Sequence, residues 1–253
     1  MKVTLIGSGN LATNLGHALK EAQVEILQIY SRTAAHAQRL ATELCVDAFC
    51  EQICEINTES DVYIVSIKDD ALSLLTSELQ AHLPEKLIVH TAGSMPMDVL
   101  KNERRGVFYP MQTFSRQHIV SFAQIPIFIE AVNVTDLQTL LNLATLLSDS
   151  VYELSSDNRK WLHIAAVFCC NFTNHMATLS ARVLERHGIP FRVMLPLMEE
   201  TIAKLHQMPP DEAQTGPAAR GDKRVLCSHV EALKDDPELA EIYKLISNSI
   251  SHD

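Results

Sequence analysis

The chain lacks a surplus of basic side chains: 21 Lys and Arg stand against 31 Asp and Glu, a formal net charge of −10. Nucleic acid and anionic membrane both attract a basic face, so neither is expected as the main partner; a local basic site for a small anion remains compatible with this total. Long apolar runs are also missing. The longest, Ile164 to Cys170, stops at Asn171, far short of the roughly 20 residues needed to span a bilayer. Met1-Lys2 leads directly into Val3-Thr4-Leu5-Ile6 and a glycine, so no signal-peptide core fits and no targeting segment is expected. The six cysteines, Cys45, Cys50, Cys54, Cys169, Cys170 and Cys227, form no C-x-x-C pair, and no His or Cys pair with zinc spacing follows Cys50 and Cys54. No metal site is therefore expected. Buried, reduced thiols and a cytoplasmic location are. No nucleophile triad is evident. Asp69-Asp70 and Asp235-Asp236 read as helix-start or turn residues, and Glu199-Glu200 as a solvated helical pair.

What is present is an alternation. Val3–Ile6, Val24–Tyr30, Val62–Ile67 and Leu87–His90 are apolar strand-like runs, and Gly106–Tyr109, Ile125–Ile129 and Val151–Leu154 continue the series. Segments with helical spacing separate the early runs: Asn10–Ala22, Ala34–Leu44 and a helix opening at Asp69-Asp70, with another near Asp136–Leu147. Strands apolar on both faces and alternating with helices predict a parallel sheet covered on both sides. The pattern changes near residue 155. Asp157–His187, Arg192–Met208, Lys223–Lys234 and a short segment after Asp236-Pro237 are all helical in spacing. The expected organisation is a Rossmann-type domain over 1–155 and an all-helical domain over 156–253, with no internal repeat and no low-complexity linker.

The first turn carries the clearest chemistry. Gly7-Ser8-Gly9-Asn10-Leu11-Ala12 fits G-x-G-x-x-A between a strand and a helix. The first glycine permits the tight turn, the second lets backbone approach a pyrophosphate, and the alanine keeps the helix close to the sheet. At the end of the second strand, where an acidic residue would hold the ribose hydroxyls of NAD, the chain reads Tyr30-Ser31-Arg32-Thr33. A hydroxyl beside a guanidinium suits a 2′-phosphate, so NADP is the expected cofactor. A solvated loop arginine is the plainer alternative.

On "IGSGNLA", "YSRT" and "VYIVSIKDDAL" the N-terminal half resembles the NADP-binding domains of pyrroline-5-carboxylate reductase, F420-dependent NADP reductase and the 6-phosphogluconate dehydrogenase-like superfamily. "WLHIAAVFCCNFTNHM", "MLPLMEET" and "AQTGPAARGD" resemble Rossmann-like proteins carrying the helical DUF2520 domain. The resemblance covers nearly the whole chain. It implies a two-domain NADP-dependent oxidoreductase of unassigned substrate, and a homodimer formed through the helical domain. One position departs from it: in "GVFYPMQTF" a histidine is expected before the proline, and Tyr109 stands there. A phenol with an ordinary pKa of about 10 is a poor base at neutral pH.

Ligands of open parallel sheets sit beyond the carboxyl ends of the strands. Ser66, Ile67 and Lys68 follow one strand and are expected at the cofactor edge. His90 and Ser94 follow the next, and Tyr109 the one after; these are candidate substrate contacts. Lys68 also reads as a solvated lysine, and His90 as a structural histidine. In the long helix, His163, Val167, Asn171 and Asn174 are spaced to share one face. By analogy with related dehydrogenases, His163 is the proton donor or acceptor, Asn171 and Asn174 orient substrate oxygens, and Lys160 is a substitute. Helix–helix hydrogen bonding, including across a dimer, explains the same face equally well. In "AQTGPAARGD", Thr215 and Arg220 are candidates for holding an anionic substrate group, while a pairing of Arg220 with Asp222 that fixes the turn is the alternative; the Arg-Gly-Asp tripeptide is not expected to serve adhesion in a reducing compartment. The leading reading is thus hydride transfer between NADP and a small carbonyl, imine or alcohol. A nucleotide-binding sensor without turnover, or a helical interaction protein with a relic Rossmann half, would share the cradle or the helices but not the proton donor.

Overall fold

The computed structural model describes residues 1–251 and divides into two compact units, Met1–Cys170 and Asn171–Asp253. The first holds β1 (Lys2–Ile6), α1 (Asn10–Glu21), β2 (Glu25–Tyr30), α2 (Ala34–Leu44), β3 (Phe49–Cys50), β4 (Val62–Val65), α3 (Asp69–His82), β5 (Leu87–His90), β6 (Arg105–Pro110), β7 (Ile127–Ala131), α4 (Val134–Leu147), β8 (Val151–Glu153) and α5 (Ser156–Ala166). A π-helical stretch, Val167–Phe172, runs on from α5 and across the division between the units. The sequence pattern changes at 155; the compact units divide fifteen residues later, within that helical run.

The eight strands form one sheet in the order β3-β2-β1-β4-β5-β6-β7-β8. Residues 62–65 and 87–90 are buried at every position, because helices cover both faces of the sheet. Successive side chains of β1 go to opposite sides: Val3 and Leu5 join the cluster containing Leu15, Leu19 and Phe108, while Ile6 joins Tyr63, Leu72 and Leu79. Burying each such side chain stabilises the fold by about 1.5–3 kcal/mol before conformational entropy is subtracted. One pairing departs from the expected parallel sheet: β6 and β7 are antiparallel, Gly106 facing Ala131. The cause is the connection. Residues 111–126 contain no helix to carry the chain back to the same end of the sheet, so the next strand runs in reverse. The two-residue edge strand β3 was not expected from sequence, since two residues carry no periodicity.

The chain leaves β1 and returns on either side of it, to β2 and to β4. That reversal of strand order opens a crevice at the carboxyl ends of the strands.

The second unit is helical. It contains α6 (Thr173–Glu185), a 3-10 turn at Phe191–Met194, α7 (Leu195–Leu205), α8 (Pro210–Ala213), α9 (Lys223–Ala232) and α10 (Pro237–Ile250). The last helix has 14 residues, longer than its sequence spacing indicated. Asp236 caps it through the Leu239 amide at 3.2 Å and pairs with Arg186 at 2.5 Å. The Arg-Gly-Asp tripeptide is resolved in the same terms: Gly221 takes φ +65°, and Asp222 accepts from the Val225 amide at 3.2 Å as the N-cap of α9. Among the described residues no helix is long and apolar enough to cross a membrane, and no cluster of ligating side chains could hold a metal. The thiols are all free, but only Cys50 is buried; the expectation of buried cysteines fails for the other five, which sit on exposed positions. Burial pushes the Cys50 thiol up to about 11.

Candidate active site

A cavity of about 800 Å³ occupies the crevice and is lined entirely by the first unit. It runs from the end of β2, past the glycine loop, to the ends of β5 and β6 and one residue of α5.

The loop is built for an anion. Gly7 has φ +125°, a conformation other residues rarely adopt, and a Cβ there would collide with the backbone carbonyl of Ser66. Gly9, the N-cap of α1, has open space where its Cβ would be. No side chain caps α1, and no acidic residue occupies its first turn. The first amides and the positive end of the helix dipole therefore stay available to a phosphate. Ser8 is tied to the end of β2 by its hydroxyl bond to Ser31 at 2.9 Å. Arg32 is exposed and lines the cavity beside Tyr30 and Ser31.

The opposite end is held by a buried ion pair. Arg159 of α5 is fully buried; Nη1 donates to the Glu130 carboxylate of β7 at 2.8 Å and Nη2 to the Met95 carbonyl at 2.5 Å. Ser156, the first residue of α5, donates to the same carboxylate at 2.6 Å and accepts from the Met97 amide at 2.8 Å. These bonds fix α5 against the sheet. One turn further along the same face, His163 reaches the cavity, and its Nδ1 lies 3.2 Å from the Tyr109 hydroxyl. The two rings meet edge to face, their centroids 6.2 Å apart. Gly93 makes room for them: a Cβ there would stand 2.5 Å from His163 Nδ1 and 2.9 Å from Tyr109 Cζ. Burial raises the Tyr109 phenol above its ordinary value, against the opposing pull of the Arg159 charge. The phenol therefore keeps its proton at neutral pH and can donate, but it is not a base.

The cavity brings together most of the residues expected from sequence. Gly7, Ser8, Gly9, Asn10, Leu11, Ser31, Arg32, Ser66, Ile67, Lys68, Ser94, Tyr109 and His163 all line it. Ser94 donates to the Asp69 carboxylate, which also lines it. Other expectations need correction. Thr33 is not part of the lining; it is exposed at the start of α2. Lys160 is exposed on α5 and does not reach the cavity, because the buried neighbour Arg159 takes the inward face at that turn. His90 is not a substrate contact. It is fully buried, its Nε2 donating to the Pro96 carbonyl at 3.2 Å and its Nδ1 accepting from the Ala92 amide at 3.2 Å. Burial, then the nearby Arg159 charge, lowers it to about 4, so it is a neutral structural group. The expected roles of Asn171, Asn174, Thr215 and Arg220 are not among these corrections: the four belong to the second unit, where the two asparagines and Arg220 are exposed. Thr215 lines a separate, mostly apolar cavity of about 520 Å³ within that unit, together with Leu179, Ala218 and Ile246.

Sequence reasoning missed Arg159, Asp69 and Arg116. Arg159 had a signal, its four-residue spacing from His163. Arg116 had none: it lies in a helix-free connection a hundred residues from the loop it meets.

A family model described as NADP oxidoreductase, coenzyme F420-dependent, matches residues 2–93, and the DUF2520 model, a domain of unknown function, matches residues 125–250. No curated protein matches the chain. Among solved structures, BF3122 of Bacteroides fragilis, described as an inferred NADP oxidoreductase, is 46% identical with a TM-score of 0.93, covering 100% of this chain and 98% of that one. A 1-pyrroline-5-carboxylate reductase from Streptococcus pyogenes is similar at 16% identity and a TM-score of 0.68, covering 100% and 99%. An imine reductase from Myxococcus stipitatus, solved with NADP+, is similar at 14% identity and a TM-score of 0.70, covering 100% and 92%. The last two likenesses concern the fold. The cradle geometry, the two family models and the likeness to BF3122 agree, and the chain belongs to the family of NAD(P)-dependent oxidoreductases in which an NADP-oxidoreductase Rossmann domain is joined to a DUF2520 domain.

Proposed function

We propose that the protein is an NADP-dependent oxidoreductase that moves hydride between the nicotinamide and a small carbonyl, imine or alcohol. The observation that carries this reading is the Tyr109–His163 pair, placed in the same cavity as the glycine loop and Ser31-Arg32. The residues present fit the cofactor: an open approach at Gly9, an uncapped helix start and a guanidinium where a 2′-phosphate would lie. Bound NADPH supplies the hydride. The chain supplies the proton. The phenol of Tyr109 donates to His163 Nδ1, which leaves the imidazole hydrogen on Nε2. In reduction Nε2 gives its proton to the substrate heteroatom as Nδ1 takes the phenol proton of Tyr109, and solvent reprotonates the phenolate; oxidation runs the same relay in reverse. A protein that only senses nucleotide has no use for such a pair.

Titration calorimetry with NADPH and NADH tests the cofactor, first on the wild type and then on Arg32→Ala. The variant should lose about 10- to 100-fold of the preference for NADPH, the range expected for one charged phosphate contact. An unchanged preference sinks the NADP assignment. Turnover against a panel of small imines and carbonyls tests the pair: His163→Ala should lower kcat by about 100-fold or more. Loss of KM alone, with kcat intact, would remove the proton role.

We also propose that the second unit associates with a second copy. Val193, Leu195, Leu197, Ile202 and Leu205, around and along α7, are all exposed apolar side chains, a concentration of the kind found at interfaces. Sedimentation should give a dimer at micromolar concentration, and a monomer there would refute it. Six free thiols, most of them exposed, suit a reducing compartment such as the cytoplasm.

A further inference from the structure

We propose that Arg116, on the connection between β6 and β7, is a further cation of the cofactor site and binds the diphosphate beside the glycine loop. The inference rests on the NADP reading above and adds a ligand that neither the glycine pattern nor the family description supplies.

Arg116 lines the cavity beside Ser8, Gly9 and Asn10. Its Nη2 donates to the Ser8 carbonyl, inside the glycine loop itself. Its Nε is buried and has no partner among the described residues. A buried guanidinium N–H without an acceptor is costly, and a guanidinium has five such hydrogens in a fixed fork. A diphosphate at the start of α1 offers the acceptors in the planar arrangement that fork matches.

The connection is held in place by α1. Asn10 Nδ2 donates to the Phe114 carbonyl at 3.0 Å. Asn14 is fully buried; its Nδ2 donates to the Ser115 carbonyl at 2.8 Å and to the Asn10 carbonyl at 2.9 Å, and its Oδ1 accepts from the Val120 amide at 3.0 Å. Every hydrogen-bonding atom of the Asn14 amide is therefore spent on holding the segment or its own helix. Two asparagines one turn apart thus position residues 114–120 over the helix that would bind the phosphates, and Arg116 is delivered with its side chain already ordered. The glycine loop contributes backbone amides and a helix dipole but no full charge. With no lysine or arginine in that loop, the arginine supplies the charge the phosphates need.

The test is calorimetric titration of the full chain, wild type, Arg116→Ala and Arg116→Lys, with NADPH and separately with adenosine 2′-monophosphate, which carries the 2′-phosphate but no diphosphate. Arg116→Ala should bind NADPH about 10- to 100-fold more weakly, and Arg116→Lys should recover part of that loss. Affinity for adenosine 2′-monophosphate should stay within about two-fold of the wild type. The salt dependence of NADPH binding should become shallower in Arg116→Ala. If the alanine variant does not fold, the lysine variant alone must still weaken NADPH selectively over adenosine 2′-monophosphate. Wild-type affinity for NADPH in Arg116→Ala overturns the assignment while leaving the cofactor reading intact. An equal loss of both ligands assigns the arginine to loop structure and also overturns it. Failure of the wild type to bind NADPH overturns the cofactor reading and this inference with it.

Discussion

The sheet unit and the helical unit differ most in what they do with their apolar side chains. In the first, whole strands are buried and two clusters pack on opposite faces of the sheet. In the second, only Leu179, Ala218 and Ala240 among the described residues are buried hydrophobics. A sheet satisfies its own backbone and offers two broad faces to cover; a few short amphipathic helices bury one stripe each and leave the rest for another surface. The first unit is therefore expected to hold its site rigidly by itself, and the second to depend on association.

Substitutions sharpen that contrast. The largest expected effect lies in the sheet. Phe108→Ala should cost about 3–5 kcal/mol in denaturant unfolding, independent of protein concentration. The next concerns His90, buried beneath the site. Its folded-state pKa is depressed to about 4 from an ordinary 6.5. The unfolded chain takes up a proton below pH 6.5 that the native state refuses, so stability is full above that pH and declines as pH falls toward 4. The loss reaches about 3 kcal/mol. Chemical denaturation across that range should show the slope, and His90→Gln should flatten it; an equal slope in the variant would mean other groups carry it. A smaller effect concerns the pair itself. Tyr109→Phe should leave the fold intact but release the hydrogen bond that sets the His163 tautomer, read as altered ring nitrogen shifts in NMR; unchanged shifts would show that the 3.2 Å approach is not a hydrogen bond in solution. The smallest is Leu197→Ala, on a side chain 64% exposed. It should change stability by no more than ~0.5 kcal/mol in dilute protein, and by more only at concentrations where copies associate. Equal loss at all concentrations would break the distinction between the units.

The two units were also unequally legible. The strands of the sheet could be read because they are continuous apolar runs punctuated by glycine and helix starts, and the cofactor loop because its backbone needs particular residues in a particular order. The helices of the second unit could be placed by spacing, but spacing did not say what their faces meet. His163, Asn171 and Asn174 share a period, yet only His163 lies in the first unit and lines its cavity. Spacing along a helix specifies a face; what that face meets depends on residues elsewhere in the chain. His90 fails for a related reason. A histidine at a strand end is equally compatible with a ligand and with two backbone partners, and the 92–96 loop supplied the partners.

By itself, the sequence determined the alternation of elements, the glycine turn and the arginine beside the second strand, because these depend on local conformation and on patterns that repeat within a few residues. Only the tertiary structure decided that Tyr109, His163 and Gly93 meet, that Arg159 buries its charge against Glu130 to hold them, and that Arg116 lies against the Ser8 carbonyl. Those contacts join residues up to about a hundred positions apart, and no local preference encodes them; they follow from burial, the order of the strands and the need of each buried polar group for a partner.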